Sequence, residues 1–231
     1  MNAQRSLLTI CGAALLLVLP HTAGAQLTRS TSKVGTTAAQ FLKIGAGARA
    51  LGMGGAQTAV TGDIASIYWN PAALSRIITN AEVTFNHAEW LADINYDFAA
   101  AVLPIGGLGT FGFSFIMLGT PEEEVRTVAF PEGDGRRWDA NSLAIGLSYA
   151  RNLTDRFSIG LNAKFVREAI WSESATGFAF DIGTLYMSEI KGLNLGASIS
   201  NFGTTMRLEG RDVYFNDGRN RDRSKRCGIL L

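Results

Sequence analysis

The chain has 231 residues, of which 47% are hydrophobic and only 18% are charged, and its formal net charge is +1. Disordered chains combine low hydrophobicity with high net charge, and nucleic-acid binders need an excess of basic residues, so the composition excludes both classes. An average soluble domain carries about 25% charged residues. The low charge, together with 26 glycines and 13 phenylalanines, favours a β protein in apolar surroundings over a soluble α/β enzyme.

Residues 1–25 have the pattern of a secretory signal peptide. Arg5 gives a positive start, residues 7–19 form an apolar run, and Ala23 and Ala25 match a small-residue cleavage site. The run is shorter than the roughly 20 residues with which a helix spans a bilayer. We therefore expect export and cleavage after Ala25, with an uncleaved anchor as the alternative. The exported chain is electrically neutral, because Arg5 is the only charged residue removed.

Residues 26–80 are predicted to form an N-terminal segment without regular strands. Small residues dominate stretches 44–56 and 65–74, and neither stretch has a sustained helical or strand period. Glycine permits backbone conformations and close approaches that other residues do not. We expect a compact, irregular segment with short helices, packed inside something larger.

Residues 81–215 are predicted to be rich in strands, because seven segments alternate with a period of two. These segments are residues 82–90, 93–103, 107–118, 141–150, 157–168, 175–187 and 192–202. One face of each is large and apolar and the other is small or polar; Leu161 and Phe165, for example, oppose Gly160 and Asn162. A soluble β-sandwich also alternates, but its solvent face normally carries Lys, Glu and Thr. We therefore predict an all-β fold, a transmembrane antiparallel β-barrel, and keep the sandwich as the alternative.

The connections between these segments are predicted to alternate between long and short. Residues 119–141 and those after 203 form long polar connections, residues 168–175 a connection of middle length, and residues 152–155 and 188–191 short turns. Outer-membrane barrels alternate in this way between outer loops and periplasmic turns. Trp90, Trp138 and Trp171 fall at segment ends, where an aromatic girdle meets the membrane interface.

Three candidate sites for chemistry are weak. Gly45, Gly47 and Ala50 fit a dinucleotide fingerprint, but no βαβ unit surrounds them. His87 is the only histidine after cleavage, whereas zinc sites draw on several His or Cys ligands. No G-x-S-x-G elbow is present. We expect no enzyme activity, no cofactor and no metal, and assign His87 to a girdle or a strand face.

Charged residues at three predicted strand positions are candidates for the barrel interior. In segment 93–103 we expect Tyr96 and Phe98 to face lipid, which places Asp97 on the inner face; Lys164 and Asp181 also fall on the inner faces of their segments. Such charges either form an ion-pair network or line a water-filled path. The acidic run Glu122, Glu123 and Glu124 is either a solvated outer loop or a site for a cation or a partner.

Two stretches of the N-terminal segment carry a resemblance to a known family. FLKIGAGARALGMGGA at residues 41–56, followed by ASIYWNPAAL at residues 65–74, resembles the N-terminal region of PorV/PorQ outer-membrane proteins and of the wider FadL-like long-chain fatty-acid transporter superfamily. MRLEGR at residues 206–211 is similar to a PorV-type segment. The motif residues are Gly45, Gly47, Arg49, Gly52, Gly54, Gly55, Asn70, Pro71 and Ala72.

The resemblance implies an N-terminal plug, or hatch, inside a barrel of about 14 strands, an even number as bacterial barrels have. The seven predicted strands would be about half of it. Residues 216–231 read as an atypical polar tail instead of a final strand, so we expect a truncated or frame-shifted copy.

For function, the resemblance implies a non-catalytic role in type IX protein secretion or in attaching exported proteins to the cell surface. The expected partners are outer-membrane lipid, exported proteins and other secretion components, and the expected location is the outer membrane. A FadL-type transporter of hydrophobic small molecules and a soluble secreted β protein are the alternatives.

Overall fold

The computed structural model describes residues 38–77, 80–190 and 192–210, and the backbone of residues 228–229. The predicted signal peptide, residues 1–25, and most of the predicted polar tail, residues 216–231, lie outside the described residues. Within the described ranges, no helix is both long enough and apolar enough to cross a membrane.

Residues 38–77 form four short helices joined by turns. A 3-10 helix covers Gln40–Lys43, α-helices cover Ala48–Gly52 and Ser66–Trp69, and a second 3-10 helix covers Pro71–Arg76. The last of these begins where Asn70 accepts a hydrogen bond from the backbone N–H of Ala72 (3.1 Å) and Pro71 occupies the first helical position. Asn favours the cap position, and Pro suits the first turn because its fixed φ is helical and it needs no partner for a backbone N–H.

Seven strands form one antiparallel sheet. They are β1 (Glu82–Glu89), β2 (Asn95–Ile105), β3 (Gly109–Gly119), β6 (Ala140–Asn152), β7 (Phe157–Ile170), β8 (Glu173–Met187) and β9 (Asn194–Gly203). Their order in the sheet follows the chain, so each strand pairs with its neighbours in sequence. The predicted number of strands and the antiparallel pairing are confirmed. Over the described residues β1 and β9 are the two edges of this sheet.

The connections differ at the two ends of the sheet. The loop end carries the long connection 120–139, which contains a small hairpin of β4 (Glu123–Glu124) and β5 (Arg137–Trp138). The turn end carries a 3-10 turn at Gly106–Leu108 and the short connections from β6 to β7 and from β8 to β9. Trp90, Trp138 and Trp171 all lie at the loop end.

The predicted middle-length connection 168–175 is wrong. β7 and β8 pair as far as Ile170 and Glu173, so only Trp171 and Ser172 join them. Trp171 has φ 53, a left-handed conformation that a tight turn requires. The charged residues near these strand ends resemble a loop in sequence, yet their backbones continue the ladder.

One face of the sheet, the covered face, packs against residues 38–77, and the other, the open face, packs against no described element. Buried residues of both partners form one apolar cluster that includes Leu42, Ile67, Leu74, Phe98 and Val102. The open face carries large exposed side chains, among them Phe85, Phe113, Leu147, Phe178 and Ile199. Strand side chains alternate between the two faces. The covered face therefore holds the N-terminal segment, and the open face presents large apolar side chains.

The prediction for the two faces of the second strand was wrong. Tyr96 and Phe98 are buried on the covered face, and the Tyr96 hydroxyl donates to the carbonyl of Ile44 (3.2 Å). Asp97 therefore points to the open face, opposite to its predicted side. The large apolar residues of β2 turn inward because residues 38–77 give them an apolar surface there.

The edge strand β9 is interrupted by an irregularity. The pairing register between β8 and β9 shifts between Phe180 and Ile182, and Asn201 has φ 59. Beyond β9 the chain turns back, and Met206 is fully buried against Gly177. β10 (Met206–Arg207) pairs with β11 (Gly228–Ile229), so the predicted polar tail contains a two-residue strand.

Candidate functional site at the covered face

Asn70 and Pro71 lie directly on two paired glycines of the sheet. Gly160 on β7 and Gly183 on β8 are cross-strand partners. A Cβ atom at Gly183 would lie 2.0 Å from Asn70 Oδ1, and a Cβ atom at Gly160 would lie 2.3 Å from Pro71 C and from Ala72 N. Contacts below 3.0 Å essentially never occur for real Cβ atoms. Both positions therefore admit only glycine while the N-terminal segment stays in place.

Asn70 joins the N-terminal segment to the sheet by hydrogen bonds. Its Nδ2 donates to the carbonyl of Thr58 (2.7 Å) within the N-terminal segment and to the carbonyl of Thr184 (3.0 Å) on β8. Its Oδ1 accepts from Ala72 N. The side chain is fully buried, where an unmade hydrogen bond costs about 1–3 kcal/mol. Asn70 is thus both the helix cap and a buried polar link to the sheet.

Two further strand glycines extend the contact along the sheet. A Cβ atom at Gly112 on β3 would lie 2.8 Å from Ile67 Cδ1, and one at Gly196 on β9 would lie 2.3 Å from the carbonyl oxygen of Thr58. None of these four strand glycines is among the site residues predicted from the sequence. Their signal was present, since all four fall on the small-residue face of a period-two segment.

The glycine-rich motif of the N-terminal segment folds around Trp69. A Cβ atom at Gly45 would lie 3.0 Å from this indole ring, and one at Gly55 would lie 3.2 Å from it. Trp69 Nε1 donates to the carbonyl of Ala46 (2.9 Å). Gly47 has φ 89 and its Cβ would lie 2.6 Å from Ala65 Cβ, so this turn also requires glycine.

The other motif residues contribute less to packing. Gly52 and Gly54 have open space where a Cβ would be, although Gly54 has φ 66. Arg49 lies 3.7 Å from Asp63 but is 59% exposed, and exposed ion pairs contribute little. Asp63 itself accepts from Ala65 N (2.9 Å) and from Gln57 Nε2 (3.1 Å), so it organises the turn before the helix Ser66–Trp69.

Lys164 and Asp181, two of the predicted interior charges, form a buried ion pair on the covered face. Lys164 Nζ lies 2.8 Å from Asp181 Oδ2, and the two side chains are 7% and 1% exposed. Asp181 also accepts from Asn162 Nδ2 (2.9 Å) and from the backbone N–H of Asn201 (2.7 Å). Lys164 Nζ donates to Asn201 Oδ1 (2.5 Å). The pair therefore holds the irregular turn of β9 in addition to satisfying its own charges.

Asp97, the third predicted interior charge, is separated from this pair by the sheet. It lies on the open face, where its Oδ1 is 2.7 Å from His87 Nδ1. The structure therefore brings together two of the three predicted charges, and it gives the predicted strand-face histidine a carboxylate partner.

Three hydrogen bonds fix the two ends of the N-terminal segment. At the loop end, Ala39 N donates to Glu168 Oε1 (2.9 Å). At the turn end, Arg76 Nε donates to Ser158 Oγ (2.9 Å) and Arg76 Nη1 donates to the carbonyl of Asp155 (2.8 Å). Burial lowers the pKa of Arg76, and the charge of Asp155 opposes that shift. The guanidinium nevertheless stays protonated, as arginine does in proteins.

Tyr68 supplies a pH test of this packing. Its hydroxyl donates to the carbonyl of Leu42 (2.7 Å); burial, aided by the charge of Asp181, raises the pKa of Tyr68 to about 12. An unfolded tyrosine titrates near pH 10, so between about pH 10 and 12 only the unfolded state ionises there and stability falls as pH rises. We expect the wild type to lose stability more steeply over this range than Tyr68→Phe. Equal slopes in urea unfolding at several pH values would contradict the buried position.

The arrangement is suited to holding a segment in place. Within that part of the chain no group of three or more His, Cys, Asp and Glu side chains is placed to hold a metal ion. The contacts between the N-terminal segment and the sheet are close backbone approaches and hydrogen bonds. They make the N-terminal segment an integral part of the covered face.

Comparison with known proteins gives one family. A family model described as type IX secretion system protein PorV matches residues 27–218. This match includes the whole N-terminal segment described above and all seven strands of the sheet. A comparison with curated proteins finds no match.

Proposed function

Because the chain belongs to the PorV family of type IX secretion system proteins, we propose that it is an outer-membrane β-barrel protein that acts without catalysis in exporting proteins or attaching them to the cell surface. The observation that carries this proposal is the contrast between the two faces of the sheet. The open face is large and apolar, while the covered face is occupied by the N-terminal segment.

The open face supports a position against lipid. Large apolar side chains of five neighbouring strands are exposed together there: Phe111, Phe113, Leu147, Leu161, Phe178, Phe180, Ile182, Leu195 and Ile199. Soluble monomers rarely expose contiguous apolar patches beyond a few hundred Å², which disfavours the soluble secreted β protein. Transmembrane strands carry such a band on their lipid side.

We propose further that the seven strands form about half of a FadL-like barrel wall of about 14 strands. An unpaired strand edge is not viable in hydrocarbon, because its backbone polar groups have no partners. Other strands would therefore pair with β1 and β9. The organisation proposed is a cleaved signal peptide at residues 1–25, a plug at residues 26–80 and barrel strands within residues 81–215.

In this proposal the N-terminal segment is the barrel plug. Its motif residues Gly45, Gly47, Gly55, Asn70 and Pro71 make the contacts described above, while Arg49, Gly52, Gly54 and Ala72 complete the same turns. Lys164 and Asp181 would lie in the barrel interior as a structural ion pair. Exported proteins and other secretion components would be recognised by the loops and the plug.

The plug role predicts that Asn70→Ala increases leakage. The substitution removes the hydrogen bonds to the carbonyls of Thr58 and Thr184 and the cap on Ala72 N, so we expect stability to fall by about 2 kcal/mol. A reconstituted full-length copy that carries the whole barrel wall should then pass small dyes that the same copy with Asn70 intact excludes. Ser75→Ala is the control, because among the described residues Ser75 Oγ donates to the nearby carbonyl of Ala72 alone (2.8 Å). Unchanged permeability in Asn70→Ala would count against a plug.

The secretion role is tested by deleting the gene in its native host. We expect proteins exported through type IX secretion to accumulate inside the cell envelope, and the wild-type gene to restore their release. Normal release, combined with lost uptake of long-chain fatty acids, would instead support the FadL-type transporter.

A further inference from the structure

Two exposed arginines lie on the open face of the sheet, one on each side of β8. Arg167 on β7 is the cross-strand partner of Thr176 on β8. Ser174 on β8 bridges to Glu209 in antiparallel fashion, which places Arg207, two residues before Glu209, on the other side of Thr176. The side chains of Arg167, Thr176 and Arg207 are all exposed. We call Arg167 and Arg207 the arginine pair.

The position of Met206 supports this register. Met206 is fully buried on the covered face, against Gly177 of β8. Because strand side chains alternate between the two faces, Arg207 points to the open face. Adjacent strands lie about 4.8 Å apart, so the backbones that carry the arginine pair are about 10 Å apart. Their long side chains can therefore reach a common group that lies above Thr176.

The arginine pair has no counter-ion among the described residues. No described ion pair or hydrogen bond includes either guanidinium group. The open-face neighbours of Arg167 are uncharged: Leu143 lies across on β6, and Phe165 and Ala169 lie along β7. Glu209 lies one row nearer to the loop end, and no described ion pair joins it to the arginine pair. Since a charged side chain that faces lipid needs a partner, we looked for one in the membrane.

The arginine pair lies near the loop end of the sheet, at the level of lipid headgroups. Arg167 is three residues before Ile170, the last residue of β7, and Trp171 follows that strand directly. Tryptophan is typical of membrane interfaces, and arginine near the end of a spanning element reaches toward the headgroups. In the proposed function the long loops lie outside the cell, so the pair faces the outer leaflet. The lipid of that leaflet is lipopolysaccharide, which carries phosphate groups.

We propose that the arginine pair binds a phosphate group of one lipopolysaccharide molecule in the outer leaflet. Both guanidinium groups donate to the phosphate oxygens, since their planar N–H donors match phosphate geometry, and the Thr176 hydroxyl donates between them. Acyl chains then pack on the next open-face row, where Phe165 and Phe178 are cross-strand partners in edge-to-face contact. This inference rests on the proposed function, because that function places the open face against lipid and the loop end outside.

The phosphate contact is tested by the amount of lipopolysaccharide that stays with the protein. The tagged chain is produced in its native host, extracted from the outer-membrane fraction in mild detergent and purified. Bound lipopolysaccharide is measured per mole of protein from its hydroxylated fatty acids. We expect the double variant Arg167→Gln with Arg207→Gln to retain about tenfold less than the wild type. Equal retention, with the same protease resistance in both proteins, would overturn the inference.

Arg151→Gln is the matched control. Arg151 is also an exposed arginine on the open face, but it lies at the turn end of β6, opposite Ile159, and would face the inner leaflet. We expect this variant to retain as much lipopolysaccharide as the wild type. A loss as large as that of the double variant would show a general effect of charge and would overturn the site. Arg167→Lys keeps the charge without the planar fork, so we expect a smaller loss, of about threefold.

The source of the contact is tested by removing the phosphate from the ligand. Purified protein freed of lipid is given lipopolysaccharide before or after phosphatase treatment. We expect the untreated form to bind about tenfold more tightly, and the two forms to bind equally to the double variant. Equal binding of both forms to the wild type would overturn the phosphate contact. A chain that reaches the outer membrane without this preference overturns this inference alone, whereas a chain absent from that fraction overturns the proposed function as well.

Discussion

Gly160→Val is expected to detach the N-terminal segment from the sheet. A Cβ atom at this position would lie 2.3 Å from the backbone of Pro71 and Ala72, and a backbone held by a helix cap cannot shift as a flexible side chain can. We expect the free energy of unfolding to fall by about 3 kcal/mol or more, from overpacking and from the loss of the Asn70 hydrogen bonds. The measurement is urea unfolding of the purified protein in detergent, combined with protease digestion of residues 38–77.

Ala163→Val is the control for this substitution. It introduces the same β-branched residue into the same strand, and such residues suit strands, but Ala163 is exposed on the open face. We expect a change below about 0.5 kcal/mol. If Gly160→Val were as stable as this control, with residues 38–77 still protected, the close contact between the segment and β7 would be wrong.

Lys164→Met is expected to lower the free energy of unfolding by about as much as Gly160→Val does. Its cause is the loss of a buried charge partner. Asp181 is 1% exposed, and the substitution leaves its carboxylate buried without a counter-ion. Breaking a buried pair on one side costs about 3–5 kcal/mol. The matched control is Arg137→Met, because Arg137 and Glu122 form an ion pair at 3.3 Å whose side chains are 61% and 64% exposed. We expect that control to cost less than about 1 kcal/mol.

A double variant separates the charge effect from packing. In Lys164→Met with Asp181→Asn, the amide oxygen can still accept from the backbone N–H of Asn201, while no charge remains buried. We expect the pair of substitutions to recover most of the loss, which appears as a coupling energy in a double-mutant cycle. Additive losses in the urea midpoints would show that the ion pair is not the source of the effect.

The strands could be predicted from local pattern because their two faces differ in chemistry. Period-two alternation placed all seven, and most boundaries lie within a few residues of those observed. The end of β7 and the start of β8 were missed because Glu168 and Glu173, which flank the connection, resemble loop residues. Their backbones nevertheless pair across the ladder, so charged side chains at strand ends did not mark the end of the strand.

The position of Asp97 shows what local pattern cannot supply. Alternation gives two faces for β2, but which face is inner depends on what packs against it. The decisive contacts run from Tyr96 and Phe98 to residues far away in sequence, in the N-terminal segment. Large apolar residues were expected to face lipid. In β2 they lie on the covered face instead, because the N-terminal segment packs against them there.

The candidate site was predictable only in part. The resemblance named the glycine and Asn70, Pro71, Ala72 motifs, but the strand glycines that receive them were found only in the structure, because a close approach joins two distant segments. The sequence placed Lys164 and Asp181 on the same face, where they pair. It did not indicate the hydrogen bonds that Asn201 makes to both, because these depend on the irregularity of β9. That this face lines a barrel interior, with the segment as its plug, stays a prediction.

The central claim is a closed barrel in the outer membrane, and heat modifiability tests it most directly. Membranes from the native host are fractionated, and the outer-membrane fraction is run on a denaturing gel with and without boiling. We expect a band in this fraction that migrates differently after boiling, because a closed barrel resists detergent until it is heated. A protein that stays in the soluble fraction after cell breakage, or a membrane band with the same mobility in both lanes, would contradict it.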